Sequence, residues 1–235
     1  MTDSVLFVDY DNMFRRATEL FTNASMGPTH PQLDPRKLVR ALQGRSRTGP
    51  IVTRVQIFAG LPSAKNEPSR NAAVKASASR WEKEEGTTVV LGGLYYSARW
   101  PQESPRDRHT AVSLAVALID EAVQNKASMI SVASSSMVLQ GALDCAARYF
   151  SGHIQLVQWL TPRLRVDASA SQSTVYHLCL DESDYLAMRD RPLTLGSVHA
   201  RKKPHQARRT VGSNSKTVWD PPLPTNERHA VEPKP

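Results

Sequence analysis

Asp9, Asp11 and Asn12 follow the apolar run Val5 to Val8 in the stretch VLFVDYDN. Short oxygen-bearing side chains at the end of such a run can meet a divalent cation, or hold a water against a phosphate. The same residue types also cap helices and close turns in any α/β fold. Chemistry here therefore depends on what the rest of the chain brings alongside.

Three other stretches carry reactive or recognition groups. YYSARWPQESPRDRH combines Tyr95, Tyr96 and Trp100 with Arg99, Arg106 and Arg108, a mixture that can stack unpaired bases and pair phosphates of single-stranded RNA, or anchor the aromatics in a core. Ser134, Ser135 and Ser136 precede a helix-like pattern; they can cap it, or line a phosphate cradle with hydroxyls and unspent N–H groups. Glu103 and Asp107 are acids just ahead of an apolar segment, where they would be solvated or favour a helix N-terminus. The seven histidines are scattered, and none, His109 included, stands at a spacing that makes a nucleophile and base pair.

The elements that must position these residues alternate. Val5 to Asp9 reads as a strand and Met13 to Phe21 as a helix. Ile51 to Ala59 is rich in β-branched residues, and Arg70 to Glu85 is a polar helix pattern with Gly86 as its terminating glycine. Thr87 to Leu91 is the next strand. Thr110 to Val123 is apolar on almost every side, which predicts a helix lying deep in the core. Met129 to Ala133 is a strand, Met137 to Phe150 a helix, Ile154 to Leu160 a strand. Tyr176 to Leu180 and the acidic LDESDYLAMRD complete the series.

This order predicts a three-layer α/β fold: a mostly parallel central sheet with helices on both faces, joined by right-handed crossovers. Ligands of such folds gather at the carboxyl ends of the strands, placing a site just after Val8, Leu91 and Val132.

The 235 residues allow one sizeable core with appendages, expected as a domain over 1–192 and a tail over 193–235. Thirty Lys/Arg against 22 Asp/Glu give a net charge of +8, and Pro192 to Pro235 hold eight of the former against three of the latter. Most of the excess is thus in the tail, whose prolines and scarcity of large apolar residues predict disorder. Its basic run Ala200 to Arg209, ARKKPHQARR, suits salt-sensitive phosphate contacts or simple solvation, and the tail also offers a tether for a protein partner. No stretch approaches the apolar length of a membrane helix, so a cytoplasmic, membrane-free protein is expected. Cys145 and Cys179 lack metal or disulfide spacing and read as buried, reduced thiols.

An apolar strand ending in Asp9, with Asn12 three positions on, resembles the opening motif of NYN domains in the PIN-like nuclease superfamily. RHTAVSLAVALI is similar to the family's central helix in its aliphatic skeleton, with Arg108 at a Lys position and Ala111 and Ala117 where acids are usual. ISVASSSMVLQGAL resembles the next strand and helix, with Ser135 and Met137 at the acid positions. The likeness spans about residues 4 to 190 in order and pattern. It implies a ribonuclease-type site that holds Mg²⁺ or Mn²⁺ on clustered carboxylates, of which Asp9 alone is retained. The implied site residues are Asp9, Asp11, Asn12 and Ser135. The expected function is RNA binding with impaired or lost hydrolysis. The alternatives are an active enzyme recruiting Asp11, Glu103 or Asp107, and a protein-interaction scaffold.

Overall fold

A computed structural model describes residues 3–22, 33–45, 51–160 and 175–189. Its sheet has six strands, all parallel, in the order β3-β2-β1-β4-β5-β6. These are β1 (Asp3–Asp9), β2 (Ile51–Leu61), β3 (Thr87–Gly93), β4 (Met129–Ala133), β5 (His153–Trp159) and β6 (Val175–Leu180). The helices are α1 (Tyr10–Phe21), α2 (Pro35–Arg45), α3 (Pro68–Trp81), α4 (Thr110–Gln124), α5 (Gln140–Tyr149) and α6 (Glu182–Met188).

Alternation along β1 divides the core in two. Leu6 and Val8 point to one face, where they meet Tyr10, Met13 and Ala17 of α1, Leu38 and Leu42 of α2, Trp81 of α3 and Tyr185 of α6. Val5 and Phe7 point to the other, against Leu114 and Leu118 of α4 and Leu143 and Ala146 of α5. A strand buried on both faces must be apolar throughout, and β1 is, from Val5 to Val8. The three-layer α/β expectation is met.

The chain winds outward from β1 through β2 to β3, then crosses back to lay β4 on the other side of β1. The strand order reverses there, and in open α/β sheets the carboxyl ends of the strands at such a switch point, here β1 and β4, are where a crevice is expected.

Four features of the secondary-structure elements differ from the sequence reading. Helix α2 has no counterpart in it; Pro35, Leu38 and Leu42 carry its buried face, too few large apolar residues in a polar stretch to announce a helix. Helix α3 ends at Trp81, so Gly86 does not terminate it. Instead Gly86 turns the chain into β3 with φ +73°, and a Cβ there would stand 2.2 Å from the Thr53 carbonyl oxygen. The segment after β4 begins as a 3-10 turn, Met137–Leu139, before α5 starts at Gln140.

The fourth concerns α4. Only one side of it is in the core: Leu114 and Leu118 are fully buried, whereas Val112, Val116 and Val123 are about 60% exposed. The helix is an outer layer on the sheet, so its second apolar side meets solvent.

Cys145 and Cys179 are unpaired but half-buried, less enclosed than expected. The proposed tail from residue 193, with its basic run, lies outside the described residues. No helix among those described is long and apolar enough to cross a membrane.

Candidate functional site at the β1/β4 crevice

Asp9 is the last residue of β1 and is 6% exposed. Its carboxylate makes no capping hydrogen bond to the first turn of α1, although Asp9 occupies the N-cap position. It turns to β4 instead: the Ser134 hydroxyl donates to Asp9 Oδ2 at 2.8 Å. Ser134 Oγ in turn accepts the Ser136 N–H at 3.1 Å, and Asn12 Oδ1 accepts the Ser135 N–H at 2.8 Å. Two side chains from the β1–α1 junction thus fasten the loop after β4.

This lacing corrects the phosphate-cradle reading of the three serines. The Ser135 and Ser136 amides are engaged within the protein, so they do not offer themselves to an anion. The Ser135 side chain is half-buried, and its hydroxyl has no hydrogen-bond partner among the described residues.

Burial pushes the Asp9 carboxyl above its usual range, with Asp107 adding repulsion, against the pull of the Ser134 hydroxyl, the nearby Asn12 backbone N–H and the Arg15 charge. Asp11 is pushed up to about 6, chiefly by the protein atoms crowding it, then by Asp107 and Asp9, while the Gly60 N–H opposes. That amide donates to Asp11 Oδ2 at 2.5 Å from the end of β2. Asp11 as a residue is nonetheless exposed, so water screens part of this effect and the upward direction is what the geometry fixes.

Asp11, Asp9 and Asp107 therefore lie in one another's electrostatic field, yet each is held by a different element. Asp107 Oδ1 accepts the His109 and Thr110 N–H groups, both at 2.9 Å, at the start of α4. Glu103 is outside this group: it pairs with Arg99 at 3.1 Å and accepts the Ser97 hydroxyl at 3.0 Å. A hard divalent cation needs several oxygen donors converging on one point. Among the described residues no three Asp, Glu, His or Cys side chains gather closely enough to hold a metal ion. The residues present do not fit the Mg²⁺ or Mn²⁺ centre that the resemblance implies.

None of the positions at which the resemblance expects further acids carries a carboxylate: they are Ala111, Ala117, Ser135 and Met137. Ala111 and Ala117 pack partly buried against the core beneath α4, and Met137 is 79% exposed on the 3-10 turn.

The aromatic-basic stretch forms a separate rim. Tyr95 is 46% exposed with the Arg108 guanidinium 4.0 Å above its ring, and its backbone pairs with that of Arg106. Tyr96 is more enclosed; its hydroxyl donates to Glu67, accepts the Ser63 N–H, and its ring meets Trp100 edge-on at 5.0 Å. Arg99 is paired with Glu103, and Arg106 and Arg108 are exposed. Tyr95 is thus the exposed ring of this stretch, while Tyr96 and Trp100 anchor the loop.

Sequence reasoning missed the floor of this rim: Glu67 and Arg70, paired at 2.5 Å at the start of α3, and the buried Thr110 hydroxyl, which lacks a hydrogen-bond partner among the described residues. Pro68 directly after Glu67 was the available signal of a helix start.

No family model and no curated protein matches the chain. Among solved structures, it is similar to a protein of unknown function from Vibrio parahaemolyticus, at 11% identity and a TM-score of 0.48, over 80% of this chain and 96% of that one.

One consequence of the crowded carboxylates is measurable. A raised carboxyl pKa means the folded state holds its proton more tightly than the unfolded state. Stability therefore falls as pH rises from about 4 through about 6 and stays reduced above it. Asp11→Asn keeps an oxygen for the Gly60 N–H and removes the charge. It is expected to gain about 1 kcal/mol over the parent at neutral pH, after allowance for solvent screening, and little near pH 4. Paired thermal melts across this range check it; an equal shift at all pH values would count against it.

Proposed function

We propose that this chain is a PIN-like domain of NYN type that binds single-stranded RNA at the β1/β4 crevice with little or no hydrolysis. The observation that carries the reading is the division of labour among the acids. Asp9 is committed to Ser134, Asp11 to the Gly60 amide, Asp107 to the start of α4 and Glu103 to Arg99 and Ser97. The carboxylates near the ends of β1 and β2 and the start of α4 are thus dispersed as structural acceptors. Phosphodiester hydrolysis of the metal-dependent kind needs them converged.

Binding falls to the rim. Arg106 and Arg108 are exposed for phosphates, Tyr95 offers a ring already flanked by a guanidinium, and the half-buried Ser135 hydroxyl and Asn12 stand at the crevice wall. An unpaired base can stack on Tyr95, whereas a continuous duplex presents no free base face.

The expected result is salt-dependent binding of single-stranded RNA, weakened about 5- to 100-fold by Tyr95→Ala, with negligible cleavage when Mg²⁺ or Mn²⁺ is added. Turnover that Asp9→Ala abolishes would overturn the loss of hydrolysis. Failure to bind at low salt would overturn the RNA reading.

A further inference from the structure

The outer side of α4 carries an apolar seam that the sheet does not use. Val112, Val116 and Val123 are 61%, 62% and 60% exposed, with half-buried Ile119 completing a line at spacings of four, three and four. The 3-10 turn packs beside α4 and adds Met137 at 79% and Val138 at 77% exposure. From Thr110 to Ile119 the helix has no charged residue.

We propose that this seam is the twofold interface of a homodimer, formed by α4 packing antiparallel against α4 of a second copy. The spacing of four, three and four reads the same in both directions. In an antiparallel pair Val112 therefore faces Val123, and Val116 faces Ile119, so each apolar residue meets another without a change of register. Antiparallel helices also set the positive end of one dipole beside the negative end of the other.

The area is that of a small, weak interface. The six residues expose on the order of 500 Å², the large end of what a monomer leaves in one patch. Buried on both copies, this approaches the roughly 1,000 Å² at which specific association begins. A nucleic acid would find no cation along this stretch of α4, and the interface stands independently of the RNA reading.

Sedimentation of the full chain tests it. The expected result is a monomer–dimer equilibrium in the micromolar range, as suits an interface of this size. Val116→Lys is expected to raise the dimer dissociation constant at least about tenfold, because an ammonium would enter a dry seam. Leu186→Lys, at an exposed leucine on the opposite face, is expected to leave it unchanged. Thermal melts establish that each variant is folded, and Val112→Glu supplies the same readout should Val116→Lys fold poorly. A chain monomeric at about 100 µM, or a dimer indifferent to both seam substitutions, would overturn the proposal.

Discussion

Trp159→Ala is expected to cost about 3–5 kcal/mol, and to lower the melting temperature by about 10 °C, more than any other truncation considered for this protein. Trp159 closes β5, is fully buried, and meets Phe21 edge-on at 5.6 Å and Tyr185 at 6.3 Å. Its indole N–H donates to the Met13 carbonyl at 2.8 Å. One side chain thus joins the sheet, α1 and α6. Alanine would empty a space that three elements share and that none can refill alone. Trp159→Phe separates the two contributions. It keeps most of the apolar contact and loses the indole donor, while the Met13 carbonyl retains its place in the α1 ladder; a cost of about 1–2 kcal/mol is expected. Denaturant titration of both variants checks the ratio. Equal losses would mean that the hydrogen bond, rather than the packed volume, dominates.

The parts of the fold that were legible in the sequence are those with a single period. β1 is apolar at four consecutive positions because both its faces are covered, and β4 is buried from Ile130 to Ala133 with Ser131 as its one polar position. Their ends then located the crevice before any contact was known. Helix α4 misled for a related reason. Its excess of apolar residues suggested enclosure, but a sequence does not distinguish a side covered by its own sheet from one left for another molecule. Helix α2 stayed hidden because Leu38 and Leu42 are its only large buried side chains.

The candidate site was legible in its members and not in its connections. Asp9, Asn12 and the serines were identifiable from their place after strands, but the pairings Asp9 with Ser134 and Asn12 with Ser135 span 125 and 123 residues. Only the sheet order makes them neighbours. Likewise, Asp11, Glu103 and Asp107 were all available on paper as relocated metal ligands. What decides against that is direction: they face the end of β2, the arginine of their own loop and the first turn of α4 respectively. Such directions follow from loop conformation, for which residue type is a weak guide.

The opposite end of α4 supplies the second large effect. Glu121, 6% exposed, receives both guanidinium nitrogens of Arg54, at 2.9 and 2.7 Å, and Arg54 also reaches Asp3 at 3.1 Å. The two partners are not equivalent. The Arg54 side chain is 36% exposed against 7% for Glu121, so Arg54 left alone keeps water and Asp3, whereas Glu121 left alone keeps neither. Arg54→Ala is therefore expected to cost about 3 kcal/mol, and Glu121→Ala only about 1–2 kcal/mol. Glu121→Gln should fall near the smaller value, since its amide oxygen can still accept from Arg54. Chemical denaturation at pH 7 and moderate salt would rank the three. The reverse order would show that the pair is held by the arginine's own packing on β2 and not by the need to satisfy a buried carboxylate. This clamp fixes the C-terminal half of α4 against the first strands, while Asp107 fixes its first turn beside the crevice. Loosening the clamp should therefore shift the α4 seam and the crevice rim together, so that Arg54→Ala weakens both dimer formation and RNA binding although it touches neither surface.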